Sequence, residues 1–128
     1  DPFYKILKSK INLGHFGGPI YSKLIQSSKI AICLTSTQNL DSITSRSVEI
    51  PAIGTFMLAI KTKTHENILL ANKEAAYFKD VSECIKKCRY YLKNVHERET
   101  IANNGHKKIV KKLKLKNENL FNEILNFN

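Results

Sequence analysis

The chain has 128 residues, of which 42% are hydrophobic and 25% charged. This balance is typical of a soluble globular protein and excludes a disordered or membrane-spanning chain, and the length suits a single domain, residues 1–128. The formal net charge is +10, and much of the excess lies in GHKKIVKKLKLK, residues 105–116. That stretch is either a solvated lysine face or a surface for the phosphates of nucleic acid or acidic lipid, and the composition favours the solvated face.

Taken in chain order, the first half predicts alternating helices and strands. A glycine-containing loop, LGHFGG, is followed by the helical stretch GPIYSKLIQSS. Two short apolar runs, residues 28–35 and 55–60, have the length and composition of strands buried on both faces, which implies a parallel sheet. A third short strand is expected around residues 75–78. The predicted fold class is therefore α/β: a three-layer Rossmann-like domain with a small parallel sheet and a helical C-terminal tail.

The tail begins with capping signals. Asp80 and Asn94 are each followed three residues later by glutamate, which predicts a capping box at the start of each of two helices. Gly105 interrupts the second helix at a cost of about 1 kcal/mol relative to alanine, so we expect another backbone to approach it closely. Asn117 is in a position to cap a last short helix.

The three cysteines, Cys33, Cys84 and Cys88, match neither a secreted disulfide framework nor a zinc pattern. We therefore expect a reducing, cytoplasmic compartment. Cys84 and Cys88 are four apart on one helix face, where packing is favoured over a metal or redox role. The chain opens without methionine, so we expect it to be a piece of a longer protein.

The stretch SRSVEIPAIGT, residues 45–55, predicts a short helix between the first two strands. Ser45 or Ser47 can cap its start, and Gly54 is suited to its end. Pro51 then falls in or just beyond the first turn, where a missing N–H costs little. In parallel α/β sheets, ligands lie at the carboxyl ends of the strands, which places the segment after the first strand at the expected site.

Arg46 and Glu49 are three residues apart on this predicted helix and share a face. A guanidinium can hold a diphosphate through two hydrogen bonds, and a carboxylate can accept both hydroxyls of a ribose. A helix N-terminus also favours phosphate. The pair therefore suits a nucleoside diphosphate, although a surface ion pair worth about 0.5 kcal/mol explains the same spacing.

Beyond these local features, the chain resembles a known family over roughly residues 14–125. An apolar strand, a loop, the pattern R-x-x-E-x-x-A-x-G, a second strand and two helices follow one another as in the carboxyl-terminal portion of group 1 glycosyltransferases with the GT-B fold. The branch most similar is the one of the spore maturation protein CgeB. The residues that carry the resemblance are Arg46, Glu49, Ala52, Gly54, Glu74, Tyr77, Leu92, Arg98, Ile101, Ala102 and Gly105.

The resemblance implies that this chain is the domain that binds a nucleoside diphosphate sugar, the donor substrate. In the family, the glutamate equivalent to Glu49 contacts the ribose hydroxyls. Arg46 and the backbone amides near Ser45 and Ser47 are then the expected contacts to the diphosphate. No cofactor and no metal site is expected, because GT-B enzymes stabilise the leaving diphosphate with a helix dipole and basic side chains.

Further expectations depend on the same resemblance. Many relatives carry a second glutamate near the sugar, and Asp41 occupies that spacing here with a shorter side chain. Gly17 and His15 belong to a loop that resembles the one bordering the nucleotide, although a plain turn also explains it. The acceptor-binding half of a GT-B enzyme is amino-terminal and is expected to be missing from this piece, so the fragment alone is expected to be inactive.

Two other functions remain open from the sequence. The net charge is compatible with a basic α/β module that binds nucleic acid, although no recognised motif supports it. A noncatalytic interaction domain derived from a GT-B enzyme is the other alternative. The basic tail also suggests a peripheral contact with an anionic membrane.

Overall fold

The computed structural model of the protein describes residues 18–34 and 45–126, with side chains over 23–34 and 47–115. Helices and strands alternate along these residues up to the last strand, and two longer helices follow. In chain order the elements are α1 (Gly18–Ser27), β1 (Ala31–Cys33), α2 (Ser45–Ile53), β2 (Met57–Ile60), α3 (Lys63–Ile68), β3 (Ala76–Phe78), α4 (Val81–Lys93) and α5 (Val95–Asn126). The alternation predicted from the sequence is confirmed, and α3 is an addition to it.

The described strands form a parallel sheet with the order β1-β2-β3. Ala31 lies opposite Met57 in the first pair, and Leu58 lies opposite Ala76 in the second. All three residues of β3 are buried, as are the first three of β2. The short apolar runs therefore become strands covered on both faces, which is the usual setting of a parallel sheet.

Two apolar clusters cover the two faces of the sheet. One combines Leu58 and Phe78 with Cys84 and Tyr91 of α4. The other combines Met57, Ala59 and Tyr77 with Ile50 of α2 and Ile109 of α5. Alternate residues of β2 thus face opposite layers of helices. This arrangement confirms the predicted fold class, a three-layer Rossmann-like α/β domain with a small parallel sheet and a helical tail.

Helix α2 ends as predicted, but Pro51 lies at a different position in the helix from the one predicted. Gly54 has φ of 99° and follows the last helical residue. The N–H of Gly54 donates to the carbonyl of Pro51 at 3.0 Å, and the N–H of Thr55 donates to that of Ile50 at 3.3 Å, which is a Schellman ending. Pro51 lies in the last turn, not near the first as predicted. It is fully buried, so its packing offsets the local cost of a proline inside a helix.

The helical tail confirms one predicted cap and corrects two. Asp80 accepts the N–H of Glu83 at 2.8 Å and caps α4 as expected. Asn94 stands between α4 and α5, but its side chain donates to the carbonyl of Tyr90, so no capping box forms there. No break occurs at Asn117, because α5 is continuous from Val95 to Asn126. The helix-favouring residues around position 117 prevail over its capping signal.

Gly105 has the close backbone neighbour that the sequence predicted. A Cβ added at this position would lie 2.3 Å from the carbonyl oxygen of Glu74. The Glu74 carboxylate accepts the N–H of Leu70 at 2.7 Å and pairs with Lys108 of α5 at 2.9 Å. Glycine thus lets α5 lie directly against the turn that precedes β3.

Candidate functional site

The carboxyl edge of the sheet is where the candidate site lies. Strand β1 ends at Cys33 and β2 ends at Ile60, and α2 begins at Ser45 after the connection that follows β1. Contacts from the last residues of both strands reach Ser47 and His65. The first turn of α2 therefore stands over the edge at which parallel α/β sheets bind ligands.

A chain of buried hydrogen bonds joins this turn to the sheet. The Ser47 hydroxyl lies 2.7 Å from Nε2 of His65, and Nδ1 of His65 lies 2.8 Å from the carbonyl oxygen of Ile60. A carbonyl only accepts, so Nδ1 carries a proton, and in the neutral imidazole Nε2 accepts from the Ser47 hydroxyl. The Cys33 thiol lies 3.5 Å from the same hydroxyl, whose proton is committed to His65, and donates to it. We call Cys33, Ser47, His65 and the Ile60 carbonyl the edge network.

The edge network is shielded from solvent and supported by its neighbours. Cys33 is 1% exposed, Ser47 4% and His65 2%. Thr62 caps α3 by accepting the N–H of His65 at 3.0 Å. The Tyr77 hydroxyl donates to the carbonyl of His65 at 3.0 Å, and its ring stacks on the imidazole with 6.0 Å between centroids. Burial, followed by the charge of nearby glutamates, raises the pKa of Tyr77 above its ordinary value.

Apart from Ser47, the predicted donor-binding residues fall into three groups. Glu49 is exposed on α2, two residues after Ser47. Ser45 and Arg46 belong to the first turn of α2, whose side chains are described from Ser47 onward. Asp41, Gly17 and His15 lie outside the described residues.

The Ser47 side chain has a different role from helix capping, because α2 begins two residues before it and its hydroxyl bonds His65. The predicted diphosphate contact at this position is the backbone amide of Ser47. Burial of the side-chain hydroxyl does not conflict with that prediction. The first N–H groups of any α-helix lack intrahelical acceptors and form the positive end of its dipole. Together with the exposed carboxylate of Glu49, such a turn has the chemistry to hold an anionic group beside a pair of hydroxyls.

His65 is not among the candidate residues that the sequence analysis identified. It lies five residues after Ile60, the last residue of β2, and three residues after the capping Thr62. A polar residue just beyond the carboxyl end of a buried strand is the same positional signal that singled out the segment after β1. Applied to β2, that signal identifies His65.

A second feature lies at the other end of α2. Nδ1 of His106 is 3.1 Å from the carbonyl oxygen of Pro51, in the last turn of that helix. Two shallow cavities border α5, one of about 360 Å³ beside His106 and one of about 440 Å³ beside the turn before β3. Lys107 and Lys111 line both cavities. The exposed lysines of α5 include Lys107, Lys111, Lys112 and Lys114. This basic surface, which we call the lysine face, is separate from the first turn of α2.

The described residues contain neither a candidate metal site nor a candidate membrane span. Across 18–34 and 45–126, no group of three or more histidine, cysteine, aspartate or glutamate residues is placed to hold a metal ion. Among the helices of those same residues, none combines the length and the apolar character needed to cross a bilayer.

Comparison with known proteins gives one match. The pattern of the glycosyl transferase-like family matches residues 8–119, which is most of the chain. The chain belongs to this glycosyl transferase-like family. No curated protein and no solved structure matches it significantly. The matched range includes every element from α1 to α4 and α5 as far as residue 119, and it includes the edge network and Glu49.

Proposed function

We propose that this glycosyl transferase-like chain is a donor-binding domain that holds a nucleoside diphosphate sugar over the carboxyl edge of its sheet. Glu49 accepts the ribose hydroxyls, and Arg46 and the backbone amides at Ser45 and Ser47 hold the diphosphate. The observation that carries the proposal is the exposed Glu49 on a helix that starts at this edge, within the range that matches the family.

The charge balance supports the same ligand. A diphosphate is an anion, and a helix N-terminus, an arginine and a net charge of +10 all favour it. In glycosyl transfer the bond between the sugar and the diphosphate breaks, and negative charge grows on the leaving oxygen. Groups fixed around the diphosphate before reaction stabilise that charge. The residues at the start of α2 have this role in the proposal.

The finer assignments extend this proposal. We place the chain as the carboxyl-terminal half of a GT-B enzyme of the CgeB-like branch, in the cytoplasm, with Asp41 near the sugar and Gly17 and His15 beside the nucleotide. Transfer to the acceptor then depends on a further domain, and the chain alone binds donor without turnover. No cofactor or metal is part of this scheme.

Nucleotide titration tests the proposal. Calorimetry with UDP and GDP measures the dissociation constant for the wild type, for Glu49→Ala and for Glu99→Ala. Glu99 is an exposed glutamate of α5 and serves as a charge-matched control. Loss of charged hydrogen bonds costs about 1.5–3 kcal/mol, so Glu49→Ala is expected to weaken binding at least about tenfold. Equal affinities for the two variants, or no binding of any nucleoside diphosphate by the wild type, would contradict the proposal.

The lysine face supports a second candidate, binding to nucleic acid, with contact to an anionic membrane as a variant of it. Lysines that neutralise phosphates make affinity fall steeply with salt. If this candidate is correct, Lys107→Glu combined with Lys111→Glu abolishes binding to RNA or acidic vesicles, while Glu49→Ala leaves it unchanged. If the chain is instead a noncatalytic interaction domain, these variants are expected to change the binding of neither nucleoside diphosphates nor RNA nor acidic vesicles.

A further inference from the structure

We propose that His65 is a positioning residue for the donor site and that the edge network is the device through which it acts. This inference rests on the proposed function, since it concerns where the donor-binding turn of α2 stands. His65 holds that turn against the end of β2, and Cys33 contacts the same serine from the end of β1. It does not touch the donor.

The bonding pattern gives the network one arrangement. The Ile60 carbonyl fixes a proton on Nδ1 of His65, which leaves Nε2 of the neutral ring as the acceptor for the Ser47 hydroxyl. The three side chains of the network, those of Cys33, Ser47 and His65, are each more than nine-tenths buried. A buried donor or acceptor without its partner is costly, so the network resists displacement of Ser47.

The position of Ser47 makes this restraint relevant to the donor. Ser47 lies between Arg46 and Glu49 in the sequence of α2, within one helical turn of both. The other end of α2 is held separately, by the Schellman ending at Gly54 and by His106 on the Pro51 carbonyl. The side-chain contacts of the edge network tie the first turn to the strand ends. A binding residue must be held within about 0.5 Å of its productive place, and this network supplies that support.

Burial also decides between positioning and direct chemistry. A serine hydroxyl bonded to a histidine is the arrangement of an activated nucleophile. Here Ser47 is 4% exposed and His65 2%, so neither presents a reactive atom to a substrate in solution. The pair therefore acts through the backbone of α2.

The test compares nucleotide affinity across matched variants at a temperature well below the melting point of each. Ser47→Ala removes the hydroxyl, and Ser47→Thr keeps it. Ile101→Val makes a small cavity on the opposite face of the sheet and controls for lost stability alone. Glu49→Ala reports on the donor site itself. The probe is UDP or GDP, whichever the wild type binds more tightly.

Ser47→Ala is expected to weaken binding about fivefold to tenfold, Ser47→Thr to stay within about twofold of the wild type, and Ile101→Val to melt earlier with unchanged affinity. Wild-type affinity in folded Ser47→Ala, while Glu49→Ala is impaired, would overturn this inference and leave the proposed function standing. If Ser47→Ala does not fold, His65→Gln replaces it, since glutamine reaches Ser47 but loses the Ile60 carbonyl, and unchanged affinity there would overturn the inference as well. No binding by the wild type would overturn the proposed function and the inference together.

Discussion

Gly105→Ala is the substitution whose cost the structure defines most directly. The added Cβ would lie 2.3 Å from the carbonyl oxygen of Glu74 and 3.4 Å from its carbonyl carbon. Real Cβ contacts essentially never fall below 3.0 Å, so α5 and the turn before β3 must separate by at least the difference, 0.7 Å. The obstructing atoms are backbone, so no side-chain rotation relieves the clash.

The separation would act on two contacts that join α5 to this turn. Asn104 donates to the carbonyl of Lys73 at 3.1 Å, and Lys108 pairs with Glu74 at 2.9 Å. Overpacking of this kind costs about 1–3 kcal/mol, and the backbone clash points to the upper end. Alanine regains about 1 kcal/mol of helix propensity. The expected net loss is about 2 kcal/mol, or a decrease in Tm of about 6–10 °C for a domain of this size.

Thermal unfolding followed by circular dichroism measures this loss. Asn103→Ala is the matched control, because position 103 is exposed on the same helix and gains helix propensity without a clash. Its Tm is expected to stay level or to rise slightly. A Tm for Gly105→Ala that equals or exceeds that of the wild type would refute the close approach of the two backbones.

Three further predictions concern other parts of the fold. Asp80→Ala removes the side chain that caps α4 and is expected to lower the free energy of unfolding in urea by about 1 kcal/mol, whereas Asp80→Asn retains an acceptor and loses less. Tyr77→Phe removes a hydroxyl whose single proton is shared between the carbonyls of His65 and Leu69, and it is expected to cost about 1–2 kcal/mol. Burial raises the pKa of Tyr77 in the folded chain, so the contribution of its neutral hydroxyl to folding stability is fully present below the unfolded pKa of about 10 and is lost as the pH rises above that value. Above that pH the Tyr77→Phe variant is therefore expected to lose less stability than the wild type. Cys88 is expected to react with a thiol reagent before Cys84, because a hydrogen bond from Cys84 lowers the pKa of Cys88 and because Cys84 is only 2% exposed. Mass spectrometry of the labelled chain measures the order, and labelling of Cys84 first would contradict the prediction.

Local signals were sufficient to predict the strands and several helix ends. The runs that became β1, β2 and β3 are short and apolar, and a strand buried on both faces needs little else. Gly54 and Asp80 act on their immediate neighbours, so their effects are visible in a few letters of sequence. Gly105 was also informative, because a glycine inside a long helix needs a tertiary reason.

Tertiary contacts account for what the sequence did not predict. The partners of His65 are Ser47, eighteen residues earlier, and the carbonyl of Ile60, which no side-chain pattern marks. Pro51 was predicted near the first turn of α2, where a proline costs little. Its packing beside Gly105 of α5, which the local sequence does not show, holds it in the last turn instead. Helix α5 begins directly after Asn94, as predicted, but the Asn94 side chain donates to the Tyr90 carbonyl instead of capping that helix. Asn117 had the residues of a helix start, but α5 continues through it.

The central claim is that the donor binds over the first turn of α2, and a titration followed by two-dimensional amide NMR tests it most directly. Adding UDP or GDP to the labelled chain is expected to shift the amides of residues 45–49 in a saturable way, with little change along α5. Saturable shifts confined to residues 107–114 of the lysine face, with the amides of α2 unmoved, would contradict the claim.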